Sequence, residues 1–125
     1  MNAEKFTQVY REIRNGCNGF FYHPLVRKFQ YSDGVRDLAN TGCAWLLDIL
    51  ATELPAQFTK HHAVSNDCYV AVTSAGGKAR IEAEFEDDVV GWSRDIDYTD
   101  LPEGVWRFHI VDEGHRYAMI LLTEH

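Results

Sequence analysis

Cysteine and proline are scarce in this sequence, with three of each among 125 residues. The cysteines at positions 17, 43 and 68 are too far apart to form a Cys-X-X-Cys pair, which excludes a zinc ribbon or a thioredoxin-type motif. Their odd number and their small or apolar neighbours favour free thiols that pack as hydrophobic side chains.

Long apolar runs are also absent. No stretch reaches the roughly 18 apolar residues of a transmembrane helix. The first residues lack the basic start and the apolar stretch of a signal peptide. We therefore expect no membrane partner and a cytoplasmic location.

Basic residues and catalytic motifs are few. Twelve Lys and Arg against nineteen Asp and Glu give a formal net charge of −7, so the chain lacks the basic stripe of a general nucleic-acid binder. It contains no P-loop, no Gly-X-Gly-X-X-Gly, no Gly-X-Ser-X-Gly and no His-Glu-X-X-His motif. We predict no cofactor, no metal ion and no direct contact with nucleic acid, and the sequence selects no enzymatic reaction.

The first part of the chain has the 3.6-residue period of an amphipathic helix. Asn2 is placed to cap this helix and Gly16 to end it in the left-handed conformation. The residues of the apolar stripe are Phe6, Val9, Tyr10 and Ile13.

Two further helices are predicted before residue 67. A short strand at 29–32 is followed by a short helix, which Ser32 or Asp33 caps and which extends to about residue 39. Residues 43–51 are apolar nearly all round, which is typical of a buried helix, and Pro55 closes or redirects it. Residues 57–65 are predicted as a loop.

After residue 67 the pattern changes to the period of two that marks half-buried strands. The strands are predicted at residues 68–73, 79–86, 105–111 and 117–122, whereas residues 89–97 are ambiguous. We therefore predict one α+β domain over residues 1–125, in which N-terminal helices pack on one face of a C-terminal antiparallel sheet of about four strands.

Negative charge is concentrated in residues 82–113, which hold eleven acids and two bases. An acidic surface steers positively charged partners, so this region is the candidate binding surface. Carboxylates also keep a sheet edge from pairing with another chain, and that simpler role is the alternative. The acids at 86–88 lack EF-hand spacing, which disfavours a cation site. The candidate partner-binding residues are Glu82, Glu84, Glu86, Asp87, Asp88, Asp95 and Asp97.

Two other functions remain open from the residues alone. A small enzyme or metal-dependent accessory protein would use His23, Asp33 and Asp100, and it requires these groups to converge in one pocket. His23 precedes a proline in an aromatic setting, and a structural role in orienting that loop is the simpler interpretation. A homodimeric module would use the strand at 117–122, which is apolar on both faces and must be central or covered.

Four segments carry a resemblance to a known family. They are Phe-Tyr-His-Pro-Leu at 21–25, Tyr-Ser-Asp-Gly-Val at 31–35, Trp-Leu-Leu-Asp-Ile at 45–49 and Ile-Asp-Tyr-Thr-Asp-Leu-Pro at 96–102. Together they resemble a family of short bacterial and phage-borne proteins catalogued only as a domain of unknown function. The resemblance implies a setting of phages, plasmids and other mobile elements, and it implies no activity and no catalytic residues.

These observations favour a non-enzymatic function. We expect an acidic protein of a phage or mobile element that binds and inhibits a host defence protein. In the manner of an anti-CRISPR protein, it would block a basic surface that normally holds nucleic acid.

Overall fold

The change of period near residue 67 separates the helices from most of the sheet, although the sheet is larger than predicted. The computed structural model describes residues 1–12 and 16–124. In chain order the elements are α1 (Ala3–Arg11), β1 (Phe20–Tyr22), β2 (Phe29–Ser32), α2 (Asp33–Ala39), α3 (Ala44–His61), β3 (Asp67–Ala75), β4 (Lys78–Glu86), β5 (Val89–Ile96), β6 (Gly104–Asp112), β7 (Tyr117–Leu121) and a final 3-10 turn (Leu122–Glu124).

The described strands form one seven-stranded sheet, in the order β1-β2-β7-β6-β3-β4-β5. The prediction of about four strands is therefore wrong. The prediction of N-terminal helices is also too simple, because β1 and β2 precede α2 and a 3-10 turn ends the described chain. The predicted strand at 29–32 is confirmed as β2, whereas β1 contains three residues, too few to display an alternating pattern. β2 pairs in parallel with β7, whereas every other pairing of the sheet is antiparallel.

The helices cover one face of the sheet, as predicted. Leu50 and Leu54 of α3 are fully buried, as are Val72 and Ile81 on the strands. Within the same core, the ring of Phe6 in α1 packs edge to face on Trp106 of β6, with 4.9 Å between ring centroids. Apolar area removed from water in this single cluster is the main stabilising term of the fold.

Two predicted helix ends differ from the structure. α1 ends at Arg11 rather than at Gly16, and Ile13 lies outside the described residues. α3 continues through Pro55 to His61, so the first part of the predicted 57–65 loop is helical. Leu54 and Phe58 are buried on either side of the proline, and this packing offsets the hydrogen bond that proline cannot donate.

The strand that is apolar on both faces is central in the sheet. β7 pairs with β2 on one side and with β6 on the other, so its edges are occupied. A homodimer formed through the edge of residues 117–122 is therefore excluded. The edges of the sheet are β1 and β5. Among the described residues, no helix combines the length and apolarity that crossing a bilayer requires.

Candidate partner-binding surface

The predicted partner-binding carboxylates lie along the β4–β5 hairpin at one edge of the sheet, with Asp87 and Asp88 at its turn and Asp97 beyond its opposite end. The alternation in β4 is confirmed, because Ile81 and Phe85 are buried on the helix side and the acids point to the other face. Asp87 and Asp88 form the turn between β4 and β5. The members on the outer face of β4 are Glu82, Glu84 and Glu86, while Asp95 lies on the edge strand β5 and Asp97 follows it.

Arg80 neutralises part of this surface. Its guanidinium lies 2.8 Å from Asp95 Oδ1 and 3.7 Å from a carboxylate oxygen of Glu82. The hydrogen bond that Arg80 donates to Asp95 raises the pKa of Arg80 above its ordinary value. Arg94, on the helix side of β5, pairs with Glu53 at 2.6 Å and does not reach the outer face.

The other five carboxylates form no ion pair with any residue of 1–12 or 16–124. We refer to them as the acidic edge. Two valines at the start of β5, Val89 and Val90, are 49% and 44% exposed beside it. The five members are Glu84, Glu86, Asp87, Asp88 and Asp97, of which all but the half-buried Glu84 are exposed.

The turn between β4 and β5 has a left-handed residue. Asp88 has φ of +61°, and it is the only described non-glycine residue with positive φ. Asp tolerates this conformation better than most residues, because its short side chain forms local hydrogen bonds. The turn holds two adjacent carboxylates at the extreme end of the hairpin.

A groove of about 350 Å3 opens on the outer face beside the acidic edge. We refer to it as the outer groove. Tyr69 of β3 is paired with Glu84 on β4 and with His109 on β6, so the three side chains lie in one row across the sheet. The residues that line the groove include Tyr69, Ala71, Glu82, Glu84, Asp88 and Arg107.

The ring of Tyr69 stacks on a histidine that is itself held by a hydrogen bond. It stacks on His109, with 4.5 Å between centroids and 14° between planes. His109 Nε2 lies 3.0 Å from Asp67 Oδ2, and the hydroxyl of Ser65 donates to Asp67 Oδ1 at 2.5 Å. The hydrogen bond from Ser65, followed by that from His109, lowers the pKa of Asp67. His109 lies on the face opposite Trp106 and is buried.

The residues of the alternative enzyme hypothesis do not converge. His23 is buried and bonds Asp48 Oδ1 at 2.7 Å through Nε2, while its Nδ1 accepts the N–H groups of Leu25 and Val26 at 3.2 Å each. Asp33 accepts a hydrogen bond from Asn18. Asp100 lies 3.1 Å from the amino group of Met1. Each group therefore has its hydrogen-bonding or ionic partner in a different part of the fold.

A cluster of potential ligands that the sequence did not reveal surrounds Glu124. The donor atoms of Cys17, Asp33 and Glu124 all lie within 4.8 Å of one another, close enough to contact one cation. Burial, and then the charges of Glu124 and Asp33, raise the pKa of Cys17. Glu124 accepts hydrogen bonds from the Ser32 hydroxyl and from the N–H groups of Gly34 and Leu121. Those three bonds satisfy the buried carboxylate without an ion. Glu124 therefore has a structural role, in which it links the start of α2 to the end of β7.

Comparison with known proteins identifies a family but no activity. Residues 9–125 match a family described as a family of unknown function, DUF6876. No curated protein matches the chain. The fold is similar to a crystal structure of a protein of unknown function from Enterococcus faecalis, with 19% sequence identity and a TM-score of 0.57 over 78% of this chain and 90% of that one. At this identity, the similarity concerns the fold alone.

Proposed function

The chain belongs to this family of unknown function, and we propose that it is a non-enzymatic binding protein whose acidic edge docks on a basic surface of a partner protein. The observation that carries the proposal is the acidic edge itself, five carboxylates along the edge hairpin of the sheet that have no cation partner in the described chain. Like charges held together destabilise the folded state, and they also accelerate association with a cationic partner.

The exposed valines favour binding over simple protection of a sheet edge. Protection requires charge alone, and Arg94 and Asp95 on β5 already supply it. Val89 and Val90 add apolar surface next to Asp87 and Asp88. Apolar side chains surrounded by charged ones are typical of a protein interface, with an apolar centre and a polar rim.

The spacing of the carboxylates suits a surface that normally binds nucleic acid. Glu82, Glu84 and Glu86 alternate along β4, so neighbouring members are about 6.8 Å apart. That is about twice the axial spacing of phosphates along one DNA strand. The finer proposal is that the partner is a nucleic-acid-binding protein of host defence, which the chain inhibits in the manner of an anti-CRISPR protein. The sequence resemblance described above implies a setting of mobile elements, and a host defence protein is a partner consistent with that expectation.

Capture from host cytosol with competing DNA tests the proposal. The immobilised protein is incubated with cytosol at low and at high salt, and bound proteins are identified by mass spectrometry. We expect to capture nucleic-acid-binding proteins that are released by high salt and by added duplex DNA. Salt screens the attraction between the acidic edge and the partner's basic surface, and DNA competes with the acidic edge for that surface.

A matched pair of charge reversals assigns the binding to the acidic edge. The double variant Glu84→Lys/Glu86→Lys is compared with Glu4→Lys/Glu103→Lys, which has the same net charge and places the changes elsewhere. The first pair should abolish capture and the second should preserve it. Undiminished capture by Glu84→Lys/Glu86→Lys at low salt would show that the acidic edge is not the binding surface.

A further inference from the structure

The outer groove combines an aromatic wall, a small floor and negative charge. Ala71 lies between Glu82 on β4 and Arg107 on β6 in the register of the sheet, so its methyl group leaves a depression between longer side chains. Tyr69 precedes it on the same face and is 44% exposed. Adjacent strands are about 4.8 Å apart, so a narrow, elongated side chain fits across this floor.

Tyr69 is held as a rigid contact. One face of its ring stacks on buried His109, which Asp67 holds by a hydrogen bond, and Ser65 in turn holds Asp67. A ring fixed in this way loses little conformational entropy when a ligand stacks on it. Exposed tyrosines with fixed rings are frequent energetic centres of protein interfaces.

The charge of the groove identifies its ligand. Glu84 and Asp88 line it without an ion pair in the described chain, and Glu82 shares Arg80 with Asp95. Arg107 is the one cationic side chain in the lining. We propose that the outer groove binds one arginine side chain of the partner, stacked on Tyr69 and paired with Glu84 and Asp88. This inference rests on the proposed function, for which it names the central contact.

Arginine fits this groove better than lysine. Its guanidinium is planar, stacks on an aromatic face and presents two parallel donors to a carboxylate, whereas an ammonium is a hydrated point charge. The protein itself uses the same contact at the opposite end of its sheet. There the guanidinium groups of Arg27, Arg36 and Arg116 lie 4.4, 4.3 and 4.1 Å from the ring centroids of Tyr22, Phe21 and Phe20.

Binding of two short peptides tests the inference. A fluorescent Gly-Ser peptide with interspersed arginines is compared by anisotropy with the same peptide carrying lysines, at low ionic strength and with the full chain. Tyr69→Leu should weaken the arginine peptide about two- to fivefold and remove its advantage over the lysine peptide. Tyr69→Phe keeps the aromatic ring, so it should retain both the affinity for the arginine peptide and the preference over the lysine peptide.

Matched controls separate the groove from the general charge of the surface. Tyr98→Leu removes another exposed tyrosine, 86% exposed and outside the groove, and should leave both affinities unchanged. Glu84→Gln/Asp88→Asn should weaken the arginine peptide more than Glu86→Gln/Asp97→Asn, which removes the same charge outside the groove.

Each outcome has a definite meaning. If Tyr69→Leu and Tyr98→Leu changed the peptide affinities equally, or if the two carboxylate pairs did, the arginine site in the outer groove would be contradicted. The acidic edge would remain a binding surface. If neither peptide binds the native chain at low salt, the proposed function itself is wrong. Should Tyr69→Leu fail to fold by circular dichroism, Ala71→Leu fills the floor of the groove, and it must then abolish the arginine preference.

Discussion

The carboxylate of Glu124 occupies the space that a side chain at position 34 would fill. A Cβ atom built on Gly34 lies 2.7 Å from Glu124 Cδ. The same carboxylate accepts hydrogen bonds from Ser32 Oγ at 2.5 Å and from the N–H of Leu121 at 2.9 Å. The glycine of the Ser-Asp-Gly segment and an acid 90 residues later therefore act as one structural unit.

Gly34→Ala should lower the free energy of unfolding by about 2 kcal/mol, because the methyl group displaces a buried, hydrogen-bonded carboxylate. In a Glu124→Ala background the clash is gone. There the same substitution should be neutral or stabilise by up to about 1 kcal/mol, since alanine favours helix α2 more than glycine does. Urea denaturation of the native chain, Gly34→Ala, Glu124→Ala and the double variant measures both values.

Gly19→Ala is the control for a glycine substitution without a clash, because nothing lies within 4 Å of a Cβ built there. An equal loss for Gly34→Ala in both backgrounds would mean that Glu124 is not the group that excludes a side chain at position 34.

His23 should contribute to stability through its acceptor nitrogen more than through Asp48. His23→Ala leaves the N–H groups of Leu25 and Val26 without an acceptor and should cost about 2 to 3 kcal/mol. In His23→Asn the amide oxygen takes the place of Nδ1, so the cost should be smaller. Asp48 is 68% exposed, and Asp48→Asn should cost less than about 1 kcal/mol. Chemical denaturation compares the three, and a larger cost for Asp48→Asn than for His23→Ala would contradict this assignment.

Local patterns predicted those elements that local sequence determines. The alternation at 79–86 gives β4 with the correct faces, and the Ser-Asp segment gives the start of α2, where the Ser32 side chain accepts the N–H of Val35. In both cases the evidence is a period or a cap within one segment. The acidic residues of β4 and its turn were found for the same reason.

Long-range pairing determined what the sequence did not show. The strand at 29–32 is predicted from the sequence, but its parallel pairing with β7, in which Phe29 lies opposite Tyr117, has no local signal. The outer groove depends on the register of three strands, which sets Tyr69 beside Glu84 and His109. No local signal connects Glu124 to Gly34, because a buried acid near a chain end has the same sequence pattern as an exposed one.

The hydrogen bonds that Asp67 accepts from Ser65 and from His109 should make stability depend on pH in the acid range. Because the pKa of Asp67 is lowered in the folded state, its contribution is fully present above the unfolded value of 3.8 and is lost as the pH falls through the folded value. Asp67→Asn should therefore lower the free energy of unfolding at neutral pH and reduce its decline in acid. Ser65→Ala, which removes the larger cause, should shift the pKa of Asp67 back toward its ordinary value.

Unfolding followed from about pH 6 to about pH 2 tests this dependence. An NMR titration of the Asp67 carboxyl group tests the assignment directly. Native and Asp67→Asn proteins with parallel stability profiles over this range would contradict it.

The three thiols should differ in reactivity according to burial. Burial raises the pKa of Cys43 and of Cys68 to about 12, and only the thiolate is nucleophilic. Cys17 is half-buried, and its pKa is raised by burial and then by Glu124 and Asp33. An alkylating reagent at mildly alkaline pH should therefore modify Cys17 first and slowly, and the other two only after unfolding. Glu124→Gln should accelerate the reaction of Cys17, because it removes a nearby negative charge that disfavours the thiolate. Mass spectrometry of the time course with the native and Cys17→Ser proteins measures each site, and modification of Cys43 or Cys68 in the folded protein as fast as Cys17 would show that burial does not protect them.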